Sequence, residues 1–122
     1  MLAPTGTTAA LLNGSTYHKA LGIHWKNDVG QDFSRSESAV LNEARSQLQG
    51  VEYVFIDEVS MIACHELYSI SARLAQITSM HDAPFGGMNV ILAGDFAQLP
   101  PVFGSSLYDG NIEKYVNARM SV

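Results

Sequence analysis

Tyr53-Val54-Phe55-Ile56-Asp57-Glu58 sets four β-favouring apolar residues directly before two carboxylates. The run, which opens at Val51, does not alternate apolar with polar. That pattern predicts a parallel strand over 51–56 with both faces covered by helix layers. Thirty-odd residues on, Asn89-Val90-Ile91-Leu92-Ala93 repeats the pattern and ends in Gly94-Asp95. Between the two, Leu67, Ile70, Leu74 and Ile77 recur at helical spacing, which predicts an amphipathic helix over 63–79. Strand, helix, strand in this order implies a right-handed crossover and parallel pairing. The expected fold class is therefore α/β, a parallel sheet flanked by helices.

Working outward, Pro84-Phe85-Gly86-Gly87 breaks the chain before the second strand. Leu41, Ala44 and Leu48 predict another helix over 39–49, stopped by Gly50. The polar stretch 26–38, with Gly30 and several serines, reads as a surface loop. Thr16 can cap a short helix through Leu21 that ends at Gly22. Thr7 to Leu12 reads as a further short helix. Leu2-Ala3-Pro4-Thr5-Gly6 reads as a strand end running into a turn.

The bulk composition agrees with a folded unit. Of 122 residues, 47% are hydrophobic and 16% charged, which argues against disorder. The net charge of −5, from 12 acidic and 7 basic residues, is unlike that of a chain selected for phosphate contact alone. Any large basic surface for nucleic acid has to lie elsewhere. A single cysteine, Cys64, excludes an internal disulfide and fits a reducing compartment. No apolar run is long enough to cross a bilayer, and no secretion signal opens the chain.

Asp57 and Glu58 are the first candidates for chemistry. In open α/β sheets, ligands bind off the carboxyl ends of the strands. Two adjacent carboxylates there repel each other, and a hydrated Mg²⁺ is a fitting partner. The second carboxylate can then orient or deprotonate an attacking water. The competing reading is an acidic first turn favoured by the dipole of the next helix. Asp95 and Gln98 form the second candidate set, in a loop stiffened by Pro100 and Pro101. A neutral amide can hydrogen-bond a terminal phosphate and report its presence. The alternative is a solvated loop glutamine. His18, His24, Cys64 and His65 match no paired zinc-ligand spacing. Trp25 and Phe33 can stack on bases or pack on the domain.

Five ordered segments carry a family resemblance. They are Ala3-Pro4-Thr5-Gly6 with Ala9-Ala10; Gly14-Ser15-Thr16-Tyr17-His18; Ile56-Asp57-Glu58-Val59-Ser60-Met61; Pro84-Phe85-Gly86-Gly87; and Gly94-Asp95-Phe96-Ala97-Gln98-Leu99-Pro100-Pro101-Val102. Together they resemble the Pif-one family of DNA helicases, relatives of RecD in helicase superfamily one. The resemblance implies part of the first RecA-like motor domain over 1–104, with 105–122 leading toward a second motor domain. It implies that Asp57 coordinates Mg²⁺, Glu58 is the base for the water that attacks ATP, and Gln98 senses the γ-phosphate. Asp95 joins these as a nucleotide-site residue. Pro4, Thr5, Gly6, Thr16 and His18 match segments near the DNA strand; for His18, a hydrogen bond within the fold is the competing reading.

The implied activity is ATP-dependent 5′ to 3′ unwinding of forked or single-stranded DNA, in repair, recombination and telomere or genome maintenance. The implied location is nucleus or mitochondrion. Relatives encoded by transposons share this wording. The phosphate-binding loop that would end in Gly-Lys-Ser/Thr is not found in these residues. The expectation is that the chain alone is inactive and that its sheet lacks the phosphate-loop strand. The alternatives are a RecA-type ATPase that is not a helicase, or a non-catalytic remnant.

Overall fold

A computed structural model describes residues 2–3, 14–23 and 37–108. The element order is β1 (Leu2–Ala3), β2 (Ser15–Thr16), α1 (Tyr17–Leu21), α2 (Glu37–Gln47), β3 (Tyr53–Ile56), a 3₁₀ turn (Val59–Met61), α3 (Cys64–Thr78), a second 3₁₀ turn (Pro84–Gly87) and β4 (Asn89–Leu92). The four strands form one sheet in the order β2-β1-β3-β4. Every pairing is parallel, with Leu2 beside Ser15 and Ile56, and Tyr53 to Ile56 beside Asn89 to Leu92 in register. The right-handed crossover rule thus places α3 on one face of the β3–β4 pair.

That face holds the core. Leu2, Tyr17, Leu21, Ala44, Val54, Ile56, Ile62, Ile70, Leu74 and Ile77 form one cluster, so all three helices pack on the same side of the sheet. Ile56, Ile70 and Leu74 are fully buried there. Among the described residues, the expectation that both faces are covered is met on this side only. Along β3 burial alternates: Val54 and Ile56 are buried, whereas Tyr53 is 63% exposed. On β4, Ile91 and Leu92 are 48% and 46% exposed. The sequence concealed this because Tyr and Phe, placed on the open face, are as β-favouring and apolar-looking as the residues beneath them.

Local signals explain most of the element limits. Thr16, in extended backbone, accepts a hydrogen bond from the Lys19 amide at 3.3 Å and starts α1. Gly22 ends it in the left-handed conformation, where a Cβ would also run into Val40 of α2. Helix α2 starts at Glu37, two residues before the expected limit, so Glu37 and Ser38 belong to the helix and not to the loop. An acidic first turn suits the helix dipole, and Glu37 pairs with Arg73 of α3 at 2.8 Å. Strand β3 starts two residues later than predicted, and β4 stops one residue earlier. The two-residue strand β2 was not foreseen, being shorter than any sequence pattern resolves.

Side chains hold helix α3 at both ends, its own Glu66 at the start and Arg45 of α2 at the finish. At its start, Glu66 Oε2 accepts the Ala63 amide at 2.6 Å. At its end, Arg45 of α2 donates to the carbonyls of Ile77 (3.2 Å) and Gln76 (2.9 Å) and to Ser79 Oγ (3.4 Å), filling acceptors that a helix C-terminus leaves open. Beyond α3, Phe85 and Gly86 both adopt positive φ, and the Phe85 amide donates to Ser71 Oγ at 2.9 Å. This turn lies so close to α3 that a Cβ on Gly86 would sit 2.6 Å from the Leu74 carbonyl oxygen. The predicted turn at Pro4–Gly6, the helix over 7–12 and the loop residues 24–36, including His24, Trp25 and Phe33, lie outside the described residues.

Candidate nucleotide site at the strand ends

Because β3 and β4 are adjacent and parallel, both deliver their following residues to the same edge of the sheet. Asp57 continues β3, and its amide donates to the Leu2 carbonyl of β1 at 3.0 Å. On the other side, the Ala93 amide donates to Ile56 O, and the Val59 amide donates to Ala93 O, each at 2.9 Å. The acidic pair is thereby set between β1 and the continuation of β4.

Glu58 occupies the left-handed region, with φ 54° and ψ 41°. This is a costly conformation for a residue with a Cβ. Its amide donates to Asp57 Oδ1 at 2.8 Å, and its carbonyl accepts from Met61 at 3.0 Å to open the 3₁₀ turn. The kink bends the chain directly after Asp57, so consecutive carboxylates leave the backbone from a bend. Glu58 stands at the N-terminal flank of the 3₁₀ turn without a side-chain capping bond, and α3 starts only at Cys64 with Glu66 in its first turn.

The β4 side closes against this bend. A Cβ on Gly94 would lie 2.7 Å from the Val59 nitrogen and 3.4 Å from the Glu58 carbonyl carbon, so glycine is what permits the approach. Asp95 then turns the chain: its Oδ1 accepts the Ala97 amide at 2.9 Å, and its carbonyl accepts the Gln98 amide at 3.0 Å. Such a side-chain-closed turn is a common role for aspartate. Gln98 is exposed at the end of that turn. The residues beyond it return to α3, where Ser106 bridges Ala63 and Ser105 O accepts the Cys64 amide at 3.0 Å.

Asp57, Glu58, Asp95 and Gln98 thus share one rim. Among the described residues no Lys or Arg pairs with the three carboxylates. Asp57 and Glu58 are partly exposed, and the second oxygen of Asp57 is not engaged by the amide that holds Oδ1. Two uncompensated carboxylates with free oxygens suit a hydrated divalent cation, which takes one or two carboxylates and keeps waters.

Thr16 ends β2 on the same edge, with β1 between it and β3. His18 is half-buried, and its ring lies 4.1 Å from that of Tyr17. Pro4, Thr5 and Gly6 fall outside the described residues.

Two features of this region had no sequence signal. Tyr17, 2% exposed, donates its phenol to Glu66 Oε1 at 2.7 Å. Burial, reinforced by the hydrogen bond and the charge of Glu66, pushes the phenol's pKa far above its usual range. Ser60, also 2% exposed, has a hydroxyl with no hydrogen-bond partner among the described residues. A contact spanning 49 residues and a buried orphan hydroxyl are tertiary facts that no local pattern encodes.

Comparison with known proteins places the chain in a family. Residues 1–120 match the sequence model of the family described as PIF1-like helicase. The chain is 42% identical over 102 residues to the ATP-dependent DNA helicase Pif1 of Bdellovibrio bacteriovorus, covering 84% of this chain and 23% of that protein. It is 36% identical over 115 residues to the Psychrobacter ATP-dependent DNA helicase Pif1, covering 93% of this chain and 16% of that protein. Among solved structures it is similar to Bacteroides sp Pif1 in complex with ADP-AlF4, with a TM-score of 0.68, 31% identity, and coverage of 96% of this chain and 25% of that one. A second Bacteroides Pif1 structure, with ADP-AlF3 and ssDNA, gives a TM-score of 0.65 at 31% identity over 94% of this chain and 26% of that one. The chain therefore spans about a quarter or less of the length of these relatives. Its parallel sheet with helices is the α/β arrangement of their RecA-like motor domain, and by sequence and by fold the chain belongs to the PIF1-like helicase family.

Proposed function

We propose that this chain supplies the acidic and γ-phosphate-sensing half of the ATP site in an ATP-dependent DNA helicase. The observation that carries the reading is the shared rim: the bend at Asp57-Glu58 and the turn at Asp95–Gln98 abut through the close approach of Gly94 to Val59. In this reading Asp57 would hold Mg²⁺, and Glu58 would take a proton from the attacking water. Gln98 donates to the terminal phosphate, and Asp95 shapes the loop that presents it. The metal, when bound, would neutralise charge developing on the phosphates; the protein's part is to fix both carboxylates on one bend.

Relatives are named ATP-dependent DNA helicases, and one of their structures is described as bound to single-stranded DNA. Another is described as unwinding forked duplex DNA. We extend those partners to the intact protein here: ATP, and single-stranded and forked DNA contacted by Pro4, Thr5, Gly6, Thr16 and His18. Residues 1–104 would belong to the first motor domain and 105–122 would lead toward a second. Movement 5′ to 3′, roles in repair, recombination and telomere or genome maintenance, and residence in nucleus or mitochondrion belong to the same proposal. Alone, the 122-residue chain would not turn over ATP, because no Gly-Lys-Ser/Thr loop is found in it to cradle the phosphates.

The test is a graft of residues 2–108 into a full-length relative. DNA-stimulated ATP turnover should survive the graft and drop by about 10²-fold or more on Glu58→Gln, the scale of losing a general base. Turnover and unwinding that persist with Glu58→Gln would refute the assignment. ATP turnover by the isolated chain, abolished by the same substitution, would refute the inactivity of the chain alone.

A further inference from the structure

The Tyr17–Glu66 contact joins two regions that the functional reading keeps apart. Tyr17 lies between Thr16 and His18, with its ring 4.1 Å from the His18 ring. Its hydroxyl donates to Glu66 Oε1 at 2.7 Å, while the other oxygen of the same carboxylate accepts the Ala63 amide at 2.6 Å. Ala63 is fully buried and caps α3. Two residues before it ends the 3₁₀ turn, whose last amide, that of Met61, donates to the Glu58 carbonyl at 3.0 Å. One carboxylate therefore bridges the α1 start and the backbone that sets the Glu58 bend.

Both atoms of the bridge are constrained. Tyr17 is 2% exposed, so its hydroxyl has no water to fall back on if Glu66 moves. Burial also keeps the phenol protonated well beyond neutral pH, so it remains a donor. Losing the bond would leave a buried hydroxyl unsatisfied, so the made and unmade states of this linkage differ in energy, as coupling between sites requires.

We propose that Tyr17 is a positioning residue that relays displacement of the Thr16–His18 segment, through the Glu66 carboxylate, to the Ala63 amide and the turn carrying Glu58. The relay rests on the reading that places single-stranded DNA at Thr16 and His18.

The test is amide NMR of the full 122-residue chain titrated with a short oligothymidine. In the unmodified chain, amides of Thr16–Leu21 and of Glu58–Cys64 should shift together along one binding curve. In Tyr17→Phe, which keeps the buried ring and removes only the donor, the first set should still shift and the second should not. Glu66→Gln offers one acceptor to two donors, the Ala63 N–H and the phenol O–H, so it breaks the bridge as well and the second set should again not shift. Responses at Glu58–Cys64 that persist in Tyr17→Phe or in Glu66→Gln overturn the relay. So does an unmodified chain in which only Thr16–Leu21 respond. No response at Thr16–Leu21 in the unmodified chain sinks the strand-contact reading, and the relay with it, which separates the two failures. Should Tyr17→Phe lose the native amide pattern, Glu66→Ala breaks the same bridge from α3 and the same outcomes decide.

Discussion

Replacing Glu58 by glycine should make the chain more stable while removing the residue assigned to the chemistry. Glu58 sits at φ 54°, ψ 41°, where a Cβ crowds the following carbonyl. That conformation costs a non-glycine residue roughly 1–2 kcal/mol. Glycine relieves it but adds backbone freedom to the unfolded chain, which takes back about 0.4–1 kcal/mol. The net gain is about 0.5–1 kcal/mol, a rise in Tm of about 2–5 °C for a domain of this size. Among the described residues no side-chain hydrogen bond of Glu58 is lost, because the bond to Asp57 Oδ1 comes from the backbone amide that glycine keeps. Glu58→Gln separates strain from charge: it retains the Cβ and removes only repulsion from Asp57, so it should gain less than the glycine variant. Ser79→Gly provides a second left-handed site, φ 60° at the far end of α3, where the relief is offset in part by loss of the Ser79 Oγ acceptor for Arg45. Urea denaturation followed by circular dichroism, with m-values compared across variants, measures all three. A glycine variant no more stable than the glutamine variant would show that the bend is not strained and that the stated cost is mistaken.

Gly86→Ala should be the opposite case, because φ is +61° and the added Cβ would meet the Leu74 carbonyl oxygen at 2.6 Å; a loss of about 2 kcal/mol or more is expected in the same denaturation assay. Arg45→Ala strips the C-terminus of α3 of its donors and should cost about 1 kcal/mol, with hydrogen exchange accelerated at the last turn of α3 before the first. Alkaline pH should expose the Tyr17 environment. Below about pH 10, the ordinary phenol value, folded and unfolded chains both keep the proton, and the stabilisation is intact. Above it the unfolded chain releases the proton while the folded one, with its raised pKa, does not, so stability falls as pH rises. The decline in urea midpoint between about pH 9 and pH 11 should be shallower in Tyr17→Phe.

Strand and helix identity were legible wherever apolar periodicity is strong. Tyr53–Ile56, Cys64–Thr78 and Asn89–Leu92 fall inside the ranges expected from their sequence, and the cap at Thr16 and stop at Gly22 were set by single residues whose chemistry is local. The convergence of Asp57 and Asp95 on one edge followed from strand, helix, strand order alone. What was not legible depends on neighbours distant in sequence. Whether Tyr53 and Ile91 face a helix or solvent is decided by where α1, α2 and α3 gather, and all three gather beneath Val54 and Ile56. The left-handed bend at Glu58 is also hidden, since glutamate carries no local preference for it; it is imposed by hydrogen bonds from Val59 to Ala93 and from Met61 to Glu58. The role of Gly94 emerges only once Val59 is seen against it.

Helix α3 is clasped at its start by Glu66, which Tyr17 holds in turn, and at its finish by Arg45. A rod whose first turn is tied to Tyr17 through its own Glu66, and whose last turn is tied to Arg45, resists unravelling at either end, where helices ordinarily fray first. It also resists sliding along its own axis, because any advance of a few tenths of an ångström lengthens bonds at both tips together. Motion originating at the Glu58 bend would therefore travel down α3 as the tilt of a stiff lever, reaching Gln76 and Ile77 about 20 Å away with little lost to bending.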